Sequence, residues 1–438
     1  MVPASTIWAV ATPPGQGGVA VLRISGPDAF DVAARLTHAP LPPPRRAALR
    51  RFHTLDGDAV DRGLLILFPA PGSFTGECIA ELHLHGSQGV LRALSQTFGS
   101  LPGLRPAGPG EFTRRAFLNG RVDLTQVEAL ADLISAETAL QARLATRQLD
   151  GHFGRQVKAW HGCVLEALAR TEAMIDFAAE QADVDAALPP ALRAELSAAA
   201  QDMRSLASGA GAAERLRQGI VVAVIGPPNS GKSSLVNALV RRDVAIVSEM
   251  PGTTRDVIEV QLDLEGIPVT VLDTAGLRES DDPVELEGIK RAKARAEAAD
   301  IRLLLLTADA PMPVDLPKAD LLIRSKIDLC RVRMPSTELG VSCRTGEGLA
   351  ALERAIAAAI RPLLPAEDAG LLVRERHRQL LEEAAQALAA HADSLEGGDL
   401  GLACEDLRVA MRALGAIDGR VTVEDLLDRI FSTFCVGK

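Results

Sequence analysis

The chain has 438 residues, enough for about three domains that each bury a core of their own. Apolar residues at 47% and charged residues at 24% are too hydrophobic for a disordered chain and too charged for a membrane-embedded one. A net charge of −10, aromatics at 3% and no Tyr argue against both a general coat for nucleic acid and a ring-stacking platform for single strands.

From Met1 to about Leu118, short apolar alternations broken by Gly and Pro (TIWAVATPPGQGGVAVLRISG, GLLILFP, IAELHLHG) predict a strand-rich α+β domain over residues 1–118. Arg23 interrupts the apolar run VAVLRIS, so a buried guanidinium there needs an anionic partner, with an exposed strand position as the plainer alternative. Glu81, His83 and His85 fall on one face of ELHLH and form a polar wall; a metal site from the two histidines lacks a third ligand nearby. The stretch RRAALRR at 45–51 reads as a solvated loop or as a local basic surface.

Over 119–217, Ala, Leu, Glu, Gln and Arg dominate and predict helical bundle material, interrupted at Leu188-Pro189-Pro190. Gly219 then opens a β run, IVVAVIG, and α/β alternation continues to about Ile360. Helical periodicity returns over 361–438, with Leu380, Leu381, Ala384, Ala385 and Leu388 along one stripe. The expected fold is multidomain: an N-terminal α+β domain, and an α/β P-loop domain over 218–360 inserted into a central helical domain made of 119–217 and 361–438. Because the ends of a domain generally lie close together, such an insertion is physically cheap. Six scattered cysteines form no C-x-x-C pair, and no secretion signal or apolar run of membrane-spanning length occurs, so a cytoplasmic setting without a membrane partner is expected.

GPPNSGKSS at Gly226 to Ser234 matches G-x-x-x-x-G-K-[ST] between a β run and a helical segment, the context a phosphate-binding loop requires. Gly226 and Gly231 let backbone N–H groups face the β-phosphate, Lys232 reaches β and γ oxygens, and the Ser233 hydroxyl can ligate Mg²⁺. Val269 to Leu272 forms a β run ending in Asp273-Thr274-Ala275-Gly276; its acid can hold the Mg²⁺ shell, and Gly276 lets its N–H approach the γ-phosphate. Between them, Gly252-Thr253-Thr254-Arg255-Asp256 precedes an alternating strand and places Thr254 to sense the γ-phosphate.

Ser325-Lys326-Ile327-Asp328 resembles the guanine-reading N-K-x-D with Ser in place of Asn; Asp328 offers a bidentate acceptor that guanine matches and adenine does not. Ser342-Cys343-Arg344 resembles the loop that backs the base. Together these elements specify a GTP/GDP site. Leu277 stands where small regulatory GTPases carry the Gln that orients the attacking water, so water and transition-state charge must be handled otherwise. Asn229 offers a carbonyl oxygen that could hold a monovalent cation facing the phosphates, or else bonds its own loop.

GPPNSGKSSL, PGTTRD, DTAGLRES, Glu285 nine residues after Gly276, the N-terminal ATPPGQGGVAVLRISG and the terminal Cys435-Val436-Gly437-Lys438 together resemble the MnmE (TrmE) family of tRNA modification GTPases over essentially the whole chain. That resemblance implies a K⁺-dependent GTPase activated by dimerisation of its nucleotide domains. Nucleotide contacts carried over from the family are Asn229, Ser230, Gly231, Lys232, Ser233 and Ser234, then Ser248, Glu249, Met250, Pro251, Gly252, Thr253 and Thr254, then Asp273, Thr274, Ala275 and Gly276, and finally Ser325, Lys326, Asp328, Ser342, Cys343 and Arg344. Asn229, Ser248, Met250 and Thr253 would surround K⁺, and Ser233 and Thr254 would hold Mg²⁺. Glu285 matches the acid that orients water, with Arg278 a possible helper.

The family resemblance also implies a homodimer, a heterotetrameric complex with the flavoprotein MnmG (GidA), and modification of C5 of the wobble uridine of certain tRNAs. The one-carbon donor would be 5-formyltetrahydrofolate or methylenetetrahydrofolate, bound through Arg23, Glu81, Arg121 and Lys438, with a folate glutamate tail as an anion for Arg23. Cys435 invites a nucleophilic role or is a packed thiol.

Two departures are expected to matter. Ser325 lacks the amide that would tie the base loop to the P-loop, predicting weaker guanine affinity. Only 14 residues separate the β runs ending at Leu306 and beginning at Leu321, so the helix of that crossover is expected to be missing and its face covered by something else. An Era-like switch in ribosome assembly is the alternative function; no GXXG motif in a suitable β-α context supports it.

Overall fold

The computed structural model describes residues 5–178, 188–241, 259–273, 297–311, 319–329, 338–364, 374–421, 424–432, 434 and 437. They fall into two compact units, the first made of Met1–Ala131, Phe153–His161 and Leu414–Lys438, the second of Asp132–His152 and Gly162–Ala413.

In the first unit, β1 (Thr6–Val10), β2 (Gly17–Ser25), β3 (Ala48–His53), β4 (Ala59–Phe68), β5 (Ile79–Gly86) and β6 (Leu104–Pro106) form one sheet in the order β3-β4-β5-β2-β1-β6. Period-two alternation sends Leu22 and Ile24 of β2 and Leu82 and Leu84 of β5 to one face, where α1 (Ala29–Thr37) and α2 (Gln88–Gly99) cover them with Leu36, Leu94 and Phe98. Each such fully buried side chain is worth about 1.5–3 kcal/mol relative to exposure. Ser87 starts α2 by accepting the Val90 N–H at 3.2 Å. On the other face, α3 (Glu111–Leu118) sets Phe112 against Ile7, Ala9 and Ala107.

The solvated-loop reading of 45–51 is corrected: Ala48 to Arg51 belong to the edge strand β3, and Arg51 lies opposite Arg62 of β4. α4 (Leu124–Ser135) packs Leu124 and Val127 against Leu427, Phe431 and Phe434 from the C-terminal segment, with Leu427 and Phe431 on the helix Glu424–Ser432. Both tryptophans belong to this unit: Trp8 lies on Phe98 with centroids 5.0 Å apart, and Trp160 is buried.

In the second unit, α5 (Ala139–Leu149), the part of α6 (His152–Ala178) from Gly162 on, and α7 (Pro190–Gln218) precede a second sheet; Phe153–His161 of α6 belong to the first unit. It consists of β7 (Ile220–Ile225), β8 (Glu259–Leu264), β9 (Ile267–Asp273), β10 (Ile301–Thr307), β11 (Leu321–Ser325) and β12 (Leu339–Val341), in the order β12-β11-β10-β7-β9-β8. Every pairing is parallel except β8 with β9. The central strands carry near-continuous apolar runs because both faces are covered. Val222, Val224, Val271, Leu303 and Leu305 meet Leu235 of α8 (Lys232–Val240) and Leu352 and Ile356 of α9 (Leu349–Ile360) in one core.

α10 (Glu375–Glu396) and α11 (Leu400–Asp418), the latter as far as Ala413, complete the described helices of this unit. α10 packs along α7, with Leu381, Ala384, Ala385 and Leu388 buried, Leu380 half-buried, and Arg204 of α7 donating to the Ala385 carbonyl at 3.3 Å. Among the described residues no helix is long and apolar enough to cross a membrane. The multidomain architecture expected from the sequence is thus present: an N-terminal α+β part, helices, and an α/β P-loop sheet.

The short crossover joins β10 and β11 in parallel, Leu303 opposite Leu321. Its described residues, 308–311 and 319–320, carry no helix, and 312–318 lie outside the described residues. Arg324 of β11 is 8% exposed and donates to the carbonyls of Ala310 at 2.6 Å and Thr307 at 3.4 Å, with Glu338 as its counter-ion at 2.8 Å.

Candidate nucleotide-binding site

The P-loop leaves the C-terminal end of the central strand β7 and feeds α8, the crevice position where open α/β sheets bind ligands. Gly226 has φ +151, and a Cβ there would lie 2.3 Å from the Leu305 carbonyl oxygen, so only glycine lets the loop pass β10. α8 begins at Lys232 with Gly231 as N-cap and no side-chain cap, so its first-turn N–H groups and helix dipole are free to serve an anion. Lys232 is 8% exposed, and its Nζ donates to the Gly226 and Pro227 carbonyls at 2.9 and 3.0 Å. Ser233 is half-buried on the same turn, Ser234 is exposed, and Asn229 is exposed with φ +62.

Asp273 ends β9, the parallel neighbour of β7, opposite Val224 and 1% exposed. A hydroxyl at the start of α8 and a buried carboxylate at the adjacent strand end form the oxygen set that suits Mg²⁺. Asn229, with a neutral carbonyl oxygen on the outside of the loop, suits a weakly bound monovalent cation.

The base loop corrects one sequence expectation. Ser325 does tie it to the P-loop: its hydroxyl, 1% exposed, donates to the Ser230 carbonyl at 2.6 Å. The neighbouring Lys326, at φ +57, donates from Nζ to the Asn229 carbonyl at 2.8 Å. Two successive base-loop side chains therefore hold two successive P-loop carbonyls. Asp328 accepts from Ser342 Oγ at 2.6 Å and from Arg344 Nε at 2.8 Å, and the hydroxyl first, then the guanidinium, hold its carboxyl below the usual range. Burial, and then the Asp328 charge, push the Cys343 thiol up. Ser342 is fully buried and organises its loop, accepting the Thr345 N–H at its hydroxyl and the Gly346 N–H at its carbonyl.

Ser248, Glu249, Met250, Pro251, Gly252, Thr253, Thr254, Thr274, Ala275, Gly276, Arg278 and Glu285 lie outside the described residues, as do Cys435 and Lys438. The tail is described on both sides of Cys435. Phe434 is 7% exposed in the apolar cluster with Phe431, and Gly437, at φ +103, is buried so closely on β1 that a Cβ would lie 2.4 Å from the Val10 carbonyl oxygen.

On the N-terminal sheet, Arg23 faces Glu81 across β2 and β5, with Nε donating to Oε1 at 2.9 Å and with Phe112 under the guanidinium at 5.7 Å. The need for an outside anion at Arg23 is thus corrected: the neighbouring strand supplies the counter-ion, and the side chain is 24% exposed, not fully buried. His83 reaches Glu81 at 3.4 Å and His85 pairs with Asp61 at 2.8 Å, so both histidines have carboxylate partners. No metal-holding cluster of His, Cys, Asp or Glu occurs among the described residues. Arg121 follows α3 and packs its stem on Gly76, 3.3 Å from where a Cβ would stand.

Sequence reading missed Arg115, 2% exposed on α3, which donates to Glu77 at 3.1 and 3.0 Å and to Glu111 at 3.0 Å. Glu77 also accepts Ser25 Oγ at 2.8 Å, so this pair pins the loop before β5 to the sheet. Its signal, Arg four residues after Glu on a helix, is too common to single out.

Two family descriptions match the chain: "GTP-binding protein TrmE N-terminus" over residues 6–121 and "MnmE helical domain" over 124–435, the latter running from one side of the P-loop sheet to the other. The protein named tRNA modification GTPase MnmE from Parvibaculum lavamentivorans is 48% identical over 445 residues, 99% of this chain and 100% of that protein. Its namesake from Methylobacterium sp. strain 4-46 is 49% identical, and that from Rhodopseudomonas palustris 47%, each over 99% of both chains. The chain belongs to the MnmE (TrmE) family of tRNA modification GTPases.

Proposed function

We propose that this chain hydrolyses GTP to drive tRNA modification in the cytoplasm, acting with a partner flavoprotein, MnmG, at C5 of the wobble uridine. The observation that carries the guanine part of this reading is the pair of struts from Ser325 and Lys326 to the P-loop, which set the Asp328 carboxylate at a fixed offset from the phosphate cradle. Guanine N1–H and N2–H₂ would take the two oxygens that Arg344 and Ser342 engage; adenine has no such donor pair.

At the phosphate end, α8 N–H groups and Lys232 receive the β and γ oxygens, with Lys232 exchanging its loop carbonyls for them. Ser233, Asp273 and Thr254 are the residues that would hold Mg²⁺, which supplies charge neutralisation on the β and γ oxygens. Asn229, Ser248, Met250 and Thr253 would hold K⁺ in the place of an arginine finger. Glu285, helped by Arg278, orients the attacking water in the absence of a Gln at Leu277. Arg23, Glu81, Arg121 and Lys438 would bind 5-formyl- or methylenetetrahydrofolate, Cys435 would offer a thiol, and homodimerisation through residues 1–118 would bring two copies of the site together. The domain division 1–118, 119–217, 218–360 and 361–438 belongs to the same reading.

GTP turnover in KCl against NaCl at matched ionic strength tests it, repeated with Asn229→Ala and Glu285→Ala. Turnover that rises steeply in K⁺ and falls on either substitution is expected, since aligning water and neutralising charge can be worth about 10³ to 10⁵ in rate. Turnover indifferent to the cation would remove the K⁺ part of the reading.

A further inference from the structure

The chain crosses between helices and P-loop sheet twice, out at the end of α7 and back before α10, and both crossings meet one carboxylate. Asp132, at the end of α4, is 7% exposed. Its Oδ1 lies 2.7 Å from Arg374 Nη2 on the returning segment and 3.9 Å from Arg217 Nη1 on the outgoing one. Gln141 of α5 grips the same corner, donating from Nε2 to the Leu216 and Arg217 carbonyls at 3.2 and 3.1 Å. Leu364, where the sheet hands the chain back, packs with Leu216 and Leu144.

An inserted domain held by two connectors can swing about the line that joins them, and it can twist if the connectors move independently. Tying both to one buried charge removes the second freedom. Arg217 is also paired with Glu214, its Nε donating at 3.1 Å, so Asp132 with Arg374 is the tight half of the tie; removing Arg374 costs the buried carboxylate its 2.7 Å partner, and both connectors loosen.

We propose that Asp132 is the positioning residue that couples the nucleotide domain to the helices: it makes the two connectors move together, so that rearrangement on GTP hydrolysis reaches the modification centre. This rests on the proposed function for its catalytic consequence, while the tie itself is read independently. Asp132 lies on α4, outside the P-loop and base-loop segments, and acts through Arg217 and Arg374.

The test uses the full chain with Asp132→Asn, Arg374→Gln and both together, following amide hydrogen exchange by mass spectrometry in peptides spanning 212–221 and 374–380. Exchange is expected to rise about tenfold in both connectors in either single variant, with the double variant no worse than the singles, since a shared interaction is non-additive. The peptide over 226–235 should be unchanged and GTP turnover should stay within about twofold, while modified tRNA formed per GTP falls about tenfold. Loosening of one connector alone, additive effects, or an unchanged yield per GTP overturns the proposal. Should Asp132→Asn fail to fold, Arg374→Gln carries the same comparison. A wild-type protein that makes no modified tRNA removes the proposed function, and the exchange pattern still decides whether the tie exists.

Discussion

Ser325 has the side chain that sequence comparison with N-K-x-D marks as deficient, yet its hydroxyl is almost fully buried and takes over the strut to the P-loop. Removing a buried donor leaves the Ser230 carbonyl unpaired, a cost of about 1–3 kcal/mol. Ser325→Ala is therefore expected to weaken GDP binding about tenfold by calorimetric titration; unchanged affinity would show that Lys326 alone holds the loops in register. Next to it, Cys343 has a thiol raised by burial and by Asp328. Only the thiolate is nucleophilic, and a raised acid constant moves its appearance to higher pH. Iodoacetamide should therefore modify Cys343 more slowly at neutral pH than an unperturbed thiol, with labelling growing as pH rises, read by peptide mass spectrometry. Rapid labelling at pH 7 would mean the loop opens and frees the thiol from Asp328.

At the scale of elements, Arg324 holds the start of the short connection between β10 and β11. Nearly buried itself, it donates to the Thr307 carbonyl at the end of β10, to the Ala310 carbonyl in the connection and to Glu338. Arg324→Ala strands those acceptors, and a loss of about 3 kcal/mol is expected in the unfolding free energy from denaturant titration; a change below about 1 kcal/mol would mean water satisfies the carbonyls. The P-loop, the acid-ended β9 and the helical stripe of α10 were legible because each is written in consecutive or periodic residues. Contacts between distant stretches were not. That Arg23 needs an anion is visible in its own strand, but that Glu81 supplies it depends on the register of β2 with β5. Arg115 with Glu77, and Ser325 with Ser230, depend likewise on which loops the fold brings together.

For the molecule as a whole, the two crossings into the P-loop sheet start from neighbouring points, since Arg217 and Arg374 reach the same Asp132 oxygen. Replacing 219–373 with a Gly/Ser linker of about five residues, able to span roughly 17 Å, should therefore leave α7 packed on α10. A cooperative helical melt by circular dichroism is expected; loss of the helical signal would show that the sheet is needed to hold those helices. The placement of the aromatic residues has a practical consequence. With no Tyr in the chain, ultraviolet-excited emission reports on the surroundings of Trp8 on β1 and Trp160 on α6. Emission loss on heating follows the N-terminal sheet at Trp8 and the first part of α6 at Trp160, while ellipticity follows everything. If the two units melt at different temperatures, the two signals will separate, and GTP should shift the ellipticity transition without a matching shift in emission.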